Sequence, residues 1–195
     1  MKKGSYGYIK NKRKKLILWL ILDVVVAVGI FVLGLFLNKF SNKNIFTIIA
    51  MLFTLPGAKI FVSLVVIFPY KGFTKEVYDK VSKVTHNSEA VLYDLVLTSP
   101  ERVMYIKSMA ITDDEYVIVP DDKMIKAKDS KEYIEHMKKY VGKHMSNYGF
   151  EKNVIIVKDE DKYIDKLEKI SYQLDNDKVE DSLHKIINTL LILEV

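Results

Sequence analysis

The chain has 195 residues, 49% hydrophobic and 28% charged, with no cysteine and a formal net charge of +5. That length allows one ordinary domain, or a small domain plus an appendage. Without cysteine there is no disulfide, no thiolate zinc site, no iron–sulfur cluster and no thiolate nucleophile. The charge is unevenly spread. Residues 1–70 hold ten Lys/Arg against Asp23 as the one acid, and the remaining 125 residues carry a net charge of −4.

The first 15 residues form a basic tail, and Lys10, Lys12, Arg13, Lys14 and Lys15 lead directly into an apolar run from Leu16 to Leu37. At 1.5 Å per residue this run makes roughly 33 Å of helix, enough for a bilayer core of about 30 Å. It is too long for the apolar part of a signal peptide, and no small-residue cleavage site follows it. A second apolar run, 45–69, contains Pro56, Gly57 and Lys59. The two predict a transmembrane hairpin over 16–70. Pro56-Gly57 predicts a kink with freed carbonyls in the second span.

The positive flank places the N-terminus in the cytoplasm, and two crossings return residues 71–195 to the same side. Tyr6, Tyr8, Trp19 and Tyr70 suit the interfacial belts. The basic tail suits an anionic inner leaflet, at roughly 1 kcal/mol per well-placed cation. A two-span protein of a bacterial inner membrane, with both termini cytoplasmic, is the expectation.

Asp23 lies about 10 Å inside the first span and Lys59 about 15 Å inside the second, counted from the cytosolic end. In an antiparallel hairpin those depths are close enough for a lysine side chain to bridge. Each charge alone costs about 2.5–3.5 kcal/mol on insertion scales, so a shared ion pair is the candidate arrangement.

Beyond Tyr70, Thr74 predicts the cap of an amphipathic helix with Val77, Val81 and Val84 on one face. Three strands follow, at Ala90–Thr98, Arg102–Ile111 and Tyr116–Val119, with MIKAK (124–128) as a possible edge extension. Asp129 and Glu132 have capping-box spacing and open a helix to about Tyr148, whose apolar set is Tyr133, Ile134, Met137, Val141, Met145 and Tyr148. Gly149 ends it. Asn153–Lys158 predicts a short strand, 160–172 a helix, QLDNDK a polar loop, and a last helix starts near 178. The order α-β-β-β-α-β-α-α describes one small cytosolic α/β (α+β) domain over 71–195.

The candidate chemistry is sparse. No glycine-rich phosphate loop, G-x-S-x-G elbow or H-E-x-x-H pair occurs, so no cofactor is expected. His136 and His144 share a helix but are eight residues apart, about 12 Å, too far for one metal ion. With Glu132 and Tyr140 they make a polar stripe that reads as a solvated face. Asp113, Asp114, Glu115, Asp121 and Asp122 form an acidic candidate for a hard cation. They lack the alternation and glycine of an EF-hand and read more simply as solvated turns. The charge of −4 disfavours nucleic acid.

The α-β-β-β-α-β order resembles the core of the PD-(D/E)xK nuclease superfamily. That resemblance implies a strand Asp followed by an acid-x-Lys on the next strand. Asp94 could be the strand carboxylate, but Tyr105 stands two positions before Lys107, and Val117 stands two positions after Glu115. The triad is not assembled, which implies a degenerate, non-cleaving version. MKKGSYGYIKNKRKK, NIFTIIAMLFTLPGAKIFVSLVVIFPY and VLYDLVLTSPERVM resemble an uncharacterised family of small bacterial two-span membrane proteins. Its relatives sometimes carry the label "O-linked GlcNAc transferase-like". The resemblance implies the topology and no activity.

Three functions are therefore in play. The first is a non-enzymatic interaction, scaffold or regulatory module held under the membrane, with a protein partner. The second is an inner-leaflet enzyme of transferase-like or nuclease-like descent. The third is an accessory subunit of a larger membrane complex, contacted through the Asp23/Lys59 region.

Overall fold

The computed structural model describes residues 2–41, 43–86, 88–126, 128–171 and 181–192. The QLDNDK loop and the expected start of the last helix near 178 lie outside the described residues. The chain divides into two units, Ile9–Pro69, and Met1–Tyr8 together with Tyr70–Val195.

The first unit is a helical hairpin. Both its helices, α1 (Tyr8–Leu37) and α2 (Ile45–Ile67), are long and apolar enough to cross a membrane. The α1 helix begins eight residues before Leu16, because Lys and Arg are good helix formers and the charged run continues the same helix. Asn44 caps α2, its Oδ1 accepting from the Thr47 amide at 3.0 Å, and its Nδ2 donates to the Gly34 carbonyl at 3.3 Å. At the other end of the hairpin Arg13 lies 5.2 Å from the Phe68 ring centroid and donates to the Ile67 carbonyl at 3.5 Å.

Between these ends the seam is built from small residues. Ala27 and Gly34 on α1, and Ala50 and Gly57 on α2, are buried, each pair seven residues apart. A Cβ at Gly34 would overlap Phe46, and one at Gly57 would overlap the Asp23 carboxylate. Small residues allow such close helix approach where no water drives association. The α2 helix runs on through Pro56.

The second unit is a four-stranded sheet in the order β1-β2-β3-β4. β1 (Val91–Thr98), β2 (Val103–Ile111) and β3 (Glu115–Pro120) form an antiparallel meander, and β4 (Asn153–Ile156) runs parallel to β3. A parallel neighbour requires a crossover. Here it consists of α4 (Asp122–Ile125) and α5 (Ser130–Asn147). Of the stretch expected as an edge extension, Met124 and Ile125 are therefore helical and Lys126 and Lys128 lie in turns, the chain having to leave the sheet after Pro120.

Helices cover both faces of the sheet. Tyr133, Met137, Val141 and Met145 of α5, with Ile186 and Leu190 of α7 (Asp181–Ile192), pack on one face. Val81 of α3 (Lys75–Val84) and Tyr163 and Leu167 of α6 (Glu160–Ile170) pack on the other. Tyr148, expected in the α5 stripe, is exposed, because Gly149 at φ +79° turns the chain away just after it.

The caps explain two of the helix starts. The Thr74 hydroxyl accepts from the Val77 amide at 3.4 Å, as expected. Asp159 Oδ1 accepts from the Asp161 and Lys162 amides at 3.0 and 3.1 Å. Asp159→Ala should cost about 1 kcal/mol, measurable by denaturant unfolding of the full chain in detergent. The capping box on α5 is not formed. Asp129 makes no side-chain cap bond, and Glu132 instead pairs with Arg102 at 2.5 Å.

The N-terminal residues belong to this second unit as a strap. The Gly4 carbonyl accepts from the Tyr93 amide at 2.7 Å, so the strap bonds to β1, an edge strand of the sheet. Gly4 has φ +76°, and a Cβ there would press on Leu92 at 3.0 Å. Tyr6 stacks on Tyr78 with centroids 4.0 Å apart and meets Tyr93 edge-on at 6.4 Å.

Candidate functional site

The centre of interest is an irregularity shared by β1 and β2. Tyr93 opposes Ser108 and Leu95 opposes Ile106, and between them the pairing skips Asp94 on one strand and Lys107 on the other. Asp94 is buried in mid-strand with φ +55°. Asp tolerates the left-handed region better than most residues, at a cost of order 1–3 kcal/mol. On β2 the register with β3 shifts between Ile106 and Ser108, leaving Lys107 as the extra residue of a β-bulge.

Both irregularities change the phase of side-chain alternation. Leu92 and Leu95, three residues apart, serve the same core cluster, and so do Ile106 and Met109. The two phase changes cancel across the strand pair and keep that core continuous. They also seat one carboxylate and one ammonium within the sheet.

Each charge has defined neighbours. Asp94 Oδ1 accepts from the Tyr105 hydroxyl at 2.8 Å, and a Cβ at Gly72 would overlap the same oxygen. The Lys107 ammonium donates to Asp122 at 2.5 Å and to Glu160 at 2.7 Å, and lies 5.9 Å from the Phe73 ring centroid. Tyr70 stacks on Tyr105 at 4.7 Å, and the Tyr133 hydroxyl accepts from the Tyr105 amide at 3.2 Å. Residues 70–73, directly after the second apolar helix, thus form one wall of the site.

The electrostatics follow from this packing. Burial alone would lower the Lys107 pKa, but hydrogen bonds to Asp122 and Glu160 and their negative charges outweigh it and hold the ammonium above its usual range. Burial pushes the Asp121 carboxyl up, partly opposed by the charge of Lys107. A carboxyl that is a weaker acid when folded binds its proton first in the folded state. Its contribution therefore favours folding as pH falls through the carboxylate range and opposes folding at neutral pH. Asp121→Asn should raise the melting temperature of the full chain at pH 7, and the gain should shrink towards pH 4. A gain equal at both pH values would contradict this.

The candidates from sequence are differently arranged. Asp121 and Asp122 lie at one end of β3, and Asp113, Asp114 and Glu115 at or before the other. Six residues of strand separate them by roughly 20 Å, so the five acids are two groups. Glu115 pairs with Lys166 at 2.7 Å. Among the described residues no three His, Asp or Glu side chains come together as a metal site.

Asp23 sits against Gly57 within the hairpin. Lys59 is exposed, and among the described residues no ion pair joins it to Asp23. Lys59 lies two residues beyond Gly57, about 200° around the helix.

The polar stripe on α5 is not simply solvated. His136 Nδ1 meets Glu101 at 2.9 Å, its Nε2 meets the Ser99 hydroxyl at 3.1 Å, and the Tyr140 hydroxyl donates to the Thr98 carbonyl at 2.7 Å. Although Ser, His and Glu are in line, Ser99 Oγ also accepts from the Arg102 amide at 3.1 Å and lies 2.9 Å from the Arg102 carbonyl. The hydroxyl serves the β1–β2 turn, and the group pins α5 to that turn. Sequence pointed to none of this, because Ser99 and Glu101 lie over thirty residues from His136.

Comparison of the chain with family models, with curated proteins and with solved structures gives no match.

Proposed function

We propose that this protein is a membrane-anchored interaction or regulatory module, non-enzymatic, whose α/β domain is a catalytically degenerate relative of the restriction-endonuclease-like fold. The observation that carries this reading is the state of Lys107. An acid-x-Lys site needs a lysine beside a metal-bound water. Here the ammonium is engaged by Asp122 and Glu160, from the crossover and from α6, while Asp94 is engaged by Tyr105. The meander with one parallel strand after a helical crossover supports the fold assignment.

The location proposed is a bacterial inner membrane, with both termini cytoplasmic. The positive flank of α1 supports the orientation. The strap supports the termini sharing a side, since residues before the first apolar helix bond to a strand made after the second. The anionic inner leaflet and a protein bound by the domain are the proposed partners.

The test is chemical crosslinking of the full-length chain in its native membrane, followed by mass spectrometry. The reading expects a reproducible protein partner with its links within residues 71–195. No reproducible partner, or divalent-dependent cleavage of DNA or RNA abolished by Lys107→Ala, would overturn it.

A further inference from the structure

We infer that the hairpins associate with further copies of this chain in the bilayer, the Lys59 ammonium of each copy entering the groove that holds Asp23 in the next. The inference rests on the bilayer reading of the hairpin and is independent of what the domain binds.

One face of the hairpin carries a groove of about 530 Å³, lined by Leu20, Val24, Thr54, Ala58 and Phe61 among others, in which Asp23 is the charged residue. Lys59 lies on the other side of α2 among Leu52, Leu55 and Val62, which are 59%, 65% and 60% exposed. A carboxylate in an apolar groove and an ammonium facing hydrocarbon are each unfavourable, and placing one against the other relieves both.

The depths agree. Asp23 is level with Gly57, and Lys59 is two residues further along α2, an offset of about 3 Å. Copies inserted in one orientation share their depths, so the offset between neighbours is the same and lies within reach of a four-carbon stem.

The azimuths decide the kind of assembly. Within one chain the two charges point to different sides of the hairpin, which prevents an internal pair. A two-fold dimer would need both on one self-complementary face. Separate faces make the contact head-to-tail, and copies in a single membrane then close into a ring of three or more. A partner of another sequence would have to supply both charges to satisfy both faces, whereas this chain already carries them.

The cysteine-free sequence suits a crosslinking test. Val24→Cys marks the groove and Leu55→Cys the Lys59 face. Oxidation of membranes carrying both substitutions in one full-length chain should give a ladder through dimer, trimer and beyond on a non-reducing gel. Co-expressed single-cysteine chains should crosslink only in the mixture. In the double-cysteine background Asp23→Lys or Lys59→Asp should reduce the ladder about tenfold or more per membrane-bound chain, and the two together should restore it.

A ladder that stops at dimer, dimers from one single-cysteine chain alone, no ladder, or a double swap that fails to recover would each overturn the inference. Recovery of the protein in the soluble fraction would overturn the bilayer reading as well.

Discussion

Lys107→Met should destabilise the α/β domain by about 2–3 kcal/mol, among the largest effects of any single substitution in it. The side chain of Lys107 is 5% exposed, while those of Asp122 and Glu160 are 52% and 30% exposed. Removing one partner from a fully buried ion pair costs about 3–5 kcal/mol, and the solvent around Asp122 reduces that figure. Methionine preserves most of the stem beside Phe73, so the loss isolates the charge. In a thermal melt of the full chain in detergent, the domain transition should fall by roughly 6–15 °C. Lys107→Arg should recover part of it, and Glu160→Gln should cost less because Asp122 remains. A shift under about 2 °C would mean that both carboxylates are well enough hydrated to need no ammonium.

The second large effect belongs to the hairpin. A side chain at Gly57 would occupy the position of Asp23 Oδ2, whereas a Cβ at Gly29 would meet nothing within 4 Å. Gly57→Val should therefore force the helices apart at a cost of about 1–3 kcal/mol, with Gly29→Val near neutral. Membrane accumulation and protease resistance of the Ile9–Pro69 segment are the measurements. The two sites should be coupled. Asp23→Ala makes room, so Gly57→Ala should be tolerated better in that background than in the native chain. Strict additivity would show that the two helices do not meet there.

What was legible in the sequence was whatever depends on local period and composition. The runs 90–98 and 102–111 read as strands, and Val91–Thr98 and Val103–Ile111 are strands, while Tyr133, Met137, Val141 and Met145 recur at helical spacing and are buried. Thr74 and Gly149 act where their chemistry requires. The junction at Asp94 and Lys107 was not legible, because reading a strand assumes strict alternation and both residues break it. The partners of Lys107 come from 15 and 53 residues downstream, a distance at which spacing carries no information. In the hairpin, counting along each run puts Lys59 about 5 Å further from the cytosolic end than Asp23, whereas Asp23 lies level with Gly57, two residues nearer the connecting loop than Lys59. The direction around the helix axis separates Lys59 from the groove that holds Asp23.

The strap also ties folding to the order of synthesis. Residues 2–6 leave the ribosome before both apolar helices, yet the strand they bond to is completed some ninety residues later. In the bilayer reading proposed above, they reach it when both apolar helices have crossed and not when one alone has. A chain that inserted one span and left the other outside the bilayer would hold its strap across the membrane from β1. The Tyr93 amide on that edge would then lack the Gly4 carbonyl, and an open edge is prone to wrong pairing and to proteolysis. In that reading correct insertion and a finished sheet are a single condition.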